Sequence, residues 1–496
     1  MKARLIKWLI VLSWLVMSAW LIRYEAFPHR FANVLSGYRS LLSDGPLLLD
    51  NWMKITFQDA HIGYSHTRMD IDEHDPNERY ILRNQTVLDM KIMGEMQGVA
   101  ASAEAVLDVL YRLQTFKFSM TADRYTMRIE GKRAGEETFI IHVISPAGRE
   151  SSRMKIPDDV VLHSPLMEMT MEDLKPGREI RMRTLDPATL SIADVAMRSL
   201  RRETVDVDGE EVKTTVLATE YQGMEVLTWV DAQGHVVRQE TPFGWIMEAC
   251  NAREAVAFRT ESEKQADMMR ALAVPVDRPL DAPRELKQLR VRLVGLQLPA
   301  KELHTARQEA MQGTNAVVLE VGYLPLPGEA SASKTNVAAR YLEPSPFIQS
   351  AHPDIVKRAE SIVEGLDNAA AKALAIHQWV YRKVIKDNES SLPSALDVLR
   401  NMRGDCNEHT YLFTALARAA GIPTRVNIGL VYLEDAFYYH AWPSVYLGEW
   451  YELDPTFGQE TVDASHIYLL EGEFATQLKL LGVIGQVDAV IEEQRY

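Results

Sequence analysis

Gly404-Asp405-Cys406, then His440-Ala441-Trp442, then Trp450-Tyr451-Glu452-Leu453-Asp454-Pro455-Thr456 are the stretches whose reading decides the fold. Cys406, His440 and Asp454 have the types and the chain order of a thiol nucleophile, its base and the residue that orients the base. From Asn407 to Ala420, Tyr411, Leu412, Ala415, Leu416 and Ala419 recur at helical spacing, and Gly421 with Pro423 ends the helix. Cys406 therefore opens a helix. There the unsatisfied backbone N–H groups favour a thiolate.

The other two residues can be related by strand parity. Tyr438 to Tyr446 and Trp450 to Leu453 read as two strands joined around Gly448. A three-residue turn, Leu447-Gly448-Glu449, pairs Tyr446 with Trp450 and Trp442 with Asp454. His440 and Asp454 then become diagonal neighbours on one face, with Cα atoms roughly 7 to 8 Å apart. A two-residue turn would put them on opposite faces, so the triad predicts the three-residue turn. Pro443 removes a ladder donor and must sit where none is needed.

Upstream of the cysteine, Pro353 to Glu364 and Ala370 to Lys386 read as helices, and Ser394 with Asp397 has the capping-box pattern of a short helix to Met402. Helices, a cysteine helix, then strands bearing His and Asp: this order resembles the core of the transglutaminase-like superfamily, which shares its layout with papain-like cysteine proteases. The resemblance covers about 341–475. It implies an α+β, papain-like catalytic core and acyl transfer at an amide through Cys406, His440 and Asp454, as a peptidase or amidase if water resolves the thioester and as a transglutaminase if an amine does. Ser444 stands where many relatives carry Glu, and Ser390 to Leu396 holds no Trp to serve as an oxyanion donor.

The 496 residues are too many for one core. A net charge of -15 with no basic tract argues against a nucleic-acid partner. Two cysteines, Cys250 and Cys406, allow no disulfide framework, and Cys250 beside Ile246, Met247 and Ala249 reads as a buried apolar residue. Lys2, Arg4 and Lys7 precede the apolar run Trp8 to Ile22, near the lower limit of about 17 residues for a spanning helix. With no small-x-small cleavage site, residues 1–24 are expected to be an uncleaved signal anchor, a transmembrane helix in a bacterial inner membrane with the bulk of the chain in the periplasm.

Between anchor and core, 45–260 is expected to be an antiparallel β-rich domain. Tyr125, Met127 and Ile129 alternate, Asp208-Gly209 marks a hairpin, and Leu227 to Val237 turns around Asp231 to Gly234. Pro187 to Leu200 is expected as a helix. Glu261 to Asp267, with Pro275, Pro279 and Pro283, reads as a linker, 285–325 as a small β unit, and Pro325 to Ser333 as a second linker.

The expected partner is a protein or peptide substrate, and no cofactor motif is present. Two other readings compete with the enzyme. One is a zinc site built on Cys406, His409 and His440, with Asp454 completing the set. The other is a membrane-tethered scaffold that binds a protein and whose triad is a relic.

Overall fold

A computed structural model describes residues 33–34, 37–38 and, from 49 to 496, all but short breaks, the longer of which are 72–79, 170–174, 261–266, 329–338, 388–393 and 481–486. The anchor expected over 1–24 lies outside the described residues. Among the described residues no helix is long and apolar enough to cross a membrane.

The β-rich expectation is met by one 16-stranded sheet, almost wholly antiparallel. It runs as a meander from Glu179–Asp186 to Trp245–Ala249, crosses to Leu49–Phe57, and meanders on to Gly148–Lys155. Period-two burial drives it. Met53, Ile55 and Phe57 turn inward from one strand, Met127 and Ile129 from another. The helix expected over Pro187 to Leu200 is instead the strand Ser191–Val207. Val195, Met197 and Ser199 are buried alternately, a period a helix cannot satisfy, and strands on both sides take up the backbone hydrogen bonds. Pro187 lies in the preceding turn, where Asp186 accepts from the Ala188 and Thr189 amides. Cys250 is only partly buried, just past the end of a central strand, where its amide donates to the Trp52 carbonyl at 2.9 Å.

The C-terminal core is built around the helix Cys406–Ala419, buried continuously from Glu408 to Ala417. Helices Pro353–Ile362, Ala369–Lys383 and Ala395–Asn401 pack on it through Ile355, Ala359, Ala373, Ile376, Val380 and Leu396. On its other side lies a sheet in which Thr424–Leu433 sits between His466–Glu471 and Ala436–Tyr446. Trp450–Glu452 pairs with the latter. At the N-cap of Ala395–Asn401 the expected capping box does not form: Ser394 makes no cap bond and its hydroxyl pairs with Gln349. Asp397 instead accepts from Ser145 of the large sheet at 3.0 Å.

The proline-punctuated segment after Asp267 is not a free linker, because it is strapped onto this core. Val274–Pro275 pairs with Phe437 and Ala436, and Val274, Leu280 and Leu286 are buried. Gln288–Val294 and Ala316–Gly322 form a four-stranded sheet with Gln308–Gln312 and with Asp488–Arg495, so the chain's last strand returns to this unit. The residues of the second linker from 329 onward lie outside the described residues.

Arg307 fastens this small sheet to the core. Its side chain is 3% exposed and meets Glu452, 2% exposed, at 2.9 Å, while its other nitrogens donate to the carbonyls of Gly322, Asp463 and His466. Removing one partner leaves a buried charge uncompensated. Arg307→Met is expected to lower unfolding stability by about 3–5 kcal/mol, and Arg307→Met with Glu452→Met to recover part of the loss. Denaturant unfolding of the two variants checks this; an unchanged midpoint in the single variant would show the pair to be idle.

Candidate active site

Cys406 is the first residue of its helix, and the turn before it is fixed on three counts. Asp405 caps the helix, accepting from the Asn407 amide at 2.7 Å, while Glu408 reaches back to the Asp405 amide at 2.9 Å. His409 Nδ1 donates to the Asp405 carbonyl at 2.7 Å. Gly404 has φ +153°, and a Cβ there would lie 2.2 Å from Glu408 Cβ, so only glycine lets the capping glutamate close over the turn.

The strand prediction holds where it can be read directly. Tyr446 pairs with Trp450, the Leu447 amide donates to the Glu449 carbonyl at 2.9 Å, and Gly448 takes φ +102°. The Leu453 amide donates to the Pro443 carbonyl at 3.2 Å. Pro443's missing donor therefore falls on the side where the short strand is already ending. Ser444 is not idle at its position, since its hydroxyl accepts from Asn427 Nδ2 at 2.6 Å.

His440 Nε2 lies 2.8 Å from Asp454 Oδ2. A carboxylate only accepts, so Nε2 carries the proton and a neutral His440 presents its lone pair at Nδ1. The imidazole is clamped face to face with Phe457, with ring centroids 5.0 Å apart and planes at 21°. Asp454 is completely buried. Its Oδ1 accepts from the amides of Thr456 at 2.7 Å and Phe457 at 3.1 Å, and its Oδ2 also accepts from His466 Nε2 at 3.1 Å. His377 Nε2 donates to the Asp454 carbonyl at 3.0 Å. The Ala441 N–H, next after His440, lies close enough to the Cys406 sulfur to ease its ionisation. Among the described residues no direct hydrogen bond links Cys406 to His440.

Burial pushes the Cys406 thiol well above its ordinary range, Asp405 pushes it further, and the Ala441 N–H only partly opposes them. These shifts run against the thiolate expected at the helix mouth. The capping carboxylates Asp405 and Glu408 crowd the same turn and add to the rise. Burial also lowers His440, with Asp454 offsetting part of the shift. Burial alone would raise Asp454, but His440 and His466 outweigh it and hold the carboxyl well below its usual range.

Among the described residues Cys406, His409 and His440 do not bring three ligand atoms together as a metal set. Among the described residues the ligand atoms of His440, Asp454 and His466 do lie within 4.8 Å of one another. Protons already join both histidine nitrogens to the carboxylate, so hydrogen bonding accounts for that cluster without an ion. His466 and its neighbour Asp463 were not legible in the sequence. They stand inside an apolar strand and its entry turn, with no spacing to mark them.

With the geometry in place, the chain can be compared with known proteins. Residues 356–455 match the transglutaminase-like superfamily. The matched segment of this transglutaminase-like core contains Cys406, His440 and Asp454 and stops short of Asp463 and His466. No curated protein matches the chain. Among solved structures it is similar to a candidate cysteine protease from Cytophaga hutchinsonii, at 18% identity over 42% of this chain and 86% of that one, TM-score 0.31. It is similar as well to a β-barrel-like protein from Brucella abortus, at 12% identity over 42% of this chain and 98% of that one, TM-score 0.30. A third is the periplasmic domain of TgpA from Pseudomonas aeruginosa bound to ethylmercury, at 15% identity over 35% and 91%, TM-score 0.22.

A thiol held protonated at rest has a distinctive pH behaviour. Alkylation of Cys406 by iodoacetamide is expected to keep accelerating past pH of about 8.5, where a free cysteine would be levelling off. Rates that show no second rise above pH 7, the mark of a resting thiolate–imidazolium pair, would contradict that assignment.

Proposed function

We propose that this chain is a cysteine-dependent acyl-transfer enzyme acting on amide bonds of a protein or peptide, with Cys406 as nucleophile, His440 as base and Asp454 as the residue that orients it. The observation that carries the reading is the His440–Asp454 bond at 2.8 Å, which leaves the Nδ1 lone pair for the thiol. The transglutaminase-like match over the same residues supports it.

In this reading Nδ1 takes the thiol proton as sulfur attacks the carbonyl carbon. The resulting oxyanion is met by the N–H of Cys406, unspent at the first position of its helix. The C–N bond breaks, the amine leaves with the proton from Nδ1, and a thioester remains on Cys406. Water or a second amine then attacks that thioester while Nδ1 takes its proton; the C–S bond breaks, the sulfur of Cys406 recovers the proton from Nδ1, and an acid or a new amide leaves. The four donors on Asp454 keep the orienter ionised throughout.

The charged flank before Trp8 adds a location: a single-pass anchor over 1–24 and a periplasmic site of action. The division into 45–260, 285–325 and 341–475 belongs to the same reading.

Incubating the full-length protein with a peptide library and identifying adducts by mass spectrometry is expected to find an acyl group on Cys406. His440→Ala should slow its formation on the order of 10²–10⁴-fold, and Cys406→Ala should abolish it. A thiol whose reactivity is untouched by His440→Ala would favour the scaffold.

A further inference from the structure

His466 lies beyond the matched core, yet it shares the carboxylate that orients His440. Its Nε2 is 3.1 Å from Asp454 Oδ2 and its Nδ1 is 3.3 Å from Asp463 Oδ1. Both neighbours are carboxylates, which accept and cannot donate. A neutral imidazole owns one N–H and would set a lone pair against one of these oxygens. Only the imidazolium satisfies both.

We propose that His466 is a positioning residue, held as an imidazolium between Asp454 and Asp463, that fixes the shared carboxylate and tempers its pull on His440. This rests on the triad proposed above.

The surroundings are built for such a cation. His466 is fully buried. From its own entry turn Asp463 faces it, locked in turn by Arg284 Nη1 at 2.8 Å, Gln459 Nε2 at 2.7 Å and the Ser465 amide at 2.8 Å. From the end of the short strand come Asp454 and, two residues earlier, Glu452, which is neutralised by Arg307. From the histidine strand comes His440, its ring edge-on to His466 at 5.6 Å between centroids. Arg307 donates to the His466 carbonyl. Burial alone would strip His466 of its proton, but Asp463 and Asp454 outweigh it and raise its affinity for the proton. Read outward from the thiol, the charges alternate: Asp454 negative, His466 positive, Asp463 negative, Arg284 positive.

The consequence for chemistry is specific. An uncompensated Asp454 would make His440 hold a proton up to higher pH, blocking Nδ1 as a base. A cation on the far side of the same oxygen weakens that hold. His466 would thus keep His440 free to accept the thiol proton, while the second N–H stops the carboxylate from rotating away.

Full-length protein labelled with ¹⁵N-histidine provides the direct test, because protonated and bare imidazole nitrogens resonate apart. His466 is expected to carry a proton on both ring nitrogens from pH 6 to 9, and in Asp463→Asn, an isosteric change, to lose one within that range. In parallel, the acid limb of Cys406 alkylation, where His440 gains its proton, should move up by about one pH unit in His466→Gln, or about tenfold slower alkylation along that limb. A smaller move in the same direction is expected for Asp463→Asn. A role confined to packing would lower the plateau and leave the limb in place. A singly protonated His466 in the wild type, an unmoved limb in both variants, or one zinc per chain on the His440–Asp454–His466 atoms would each overturn the proposal. The two readings fail separately. A wild-type thiol with no limb that depends on His440 sinks the triad, whereas a normal limb beside a neutral His466 sinks only the positioning role.

Discussion

The Asp454 carboxylate is the point on which the C-terminal core depends. It is fully buried, and burying a lone carboxylate costs several kcal/mol unless its oxygens are paired. Here each oxygen accepts two N–H groups, from the Thr456 and Phe457 amides on one side and from His440 and His466 on the other. These four donors come from the following turn and from two different strands. A fifth contact, from His377 to the Asp454 carbonyl, brings in a helix. Satisfying one charge therefore fixes the relative positions of the sheet, the turn and the helical layer. The same arrangement fixes which nitrogen of His440 can act as a base.

Around that carboxylate the site is electrostatically quiet. The shifts run against a resting ion pair: the Cys406 thiol, partly buried, is pushed up and the His440 imidazole down, beside a carboxyl held well below its usual range. A neutral pair stores no reactive thiolate. In the proposed reaction the proton moves only when a carbonyl is present to receive the sulfur. Asp405 and Glu408 show how two demands compete at one helix end. The carboxylates that cap the helix best are also those that disfavour a negative sulfur.

The small four-stranded sheet contributes to the site although none of its residues touches the thiol. Arg307 neutralises Glu452, which in turn receives the Trp442 indole N–H at 2.9 Å, and Arg284, from the strap leading into that sheet, holds Asp463. Both arginines also grip backbone carbonyls of the core, Arg284 that of Tyr432 and Arg307 that of His466. Phe457, stacked on His440, has the Arg284 guanidinium 4.8 Å from its ring centre and the Lys386 ammonium 4.9 Å from it. The wall opposite the cysteine is thus assembled from segments nearly two hundred residues apart.

Much of this was legible in the chain itself. Local periodicity determined the cysteine helix and its neighbours, and strand parity around Gly448 determined that His440 and Asp454 could share a face, because alternation by two admits only odd turns there. The helix expected over Pro187 to Leu200 failed because a strand whose buried residues alternate as Val195, Met197 and Ser199 gains its stability from partners far along the chain. The upward shift of the Cys406 thiol comes first from desolvation, which a helix-end argument does not contain. His466, Asp463, Arg284 and Arg307 carry no spacing signature. Each acquires its role only when folding brings opposite charges together out of water, so sequence determined the elements and the three residues of the candidate site, and tertiary structure alone decided the charges that surround them.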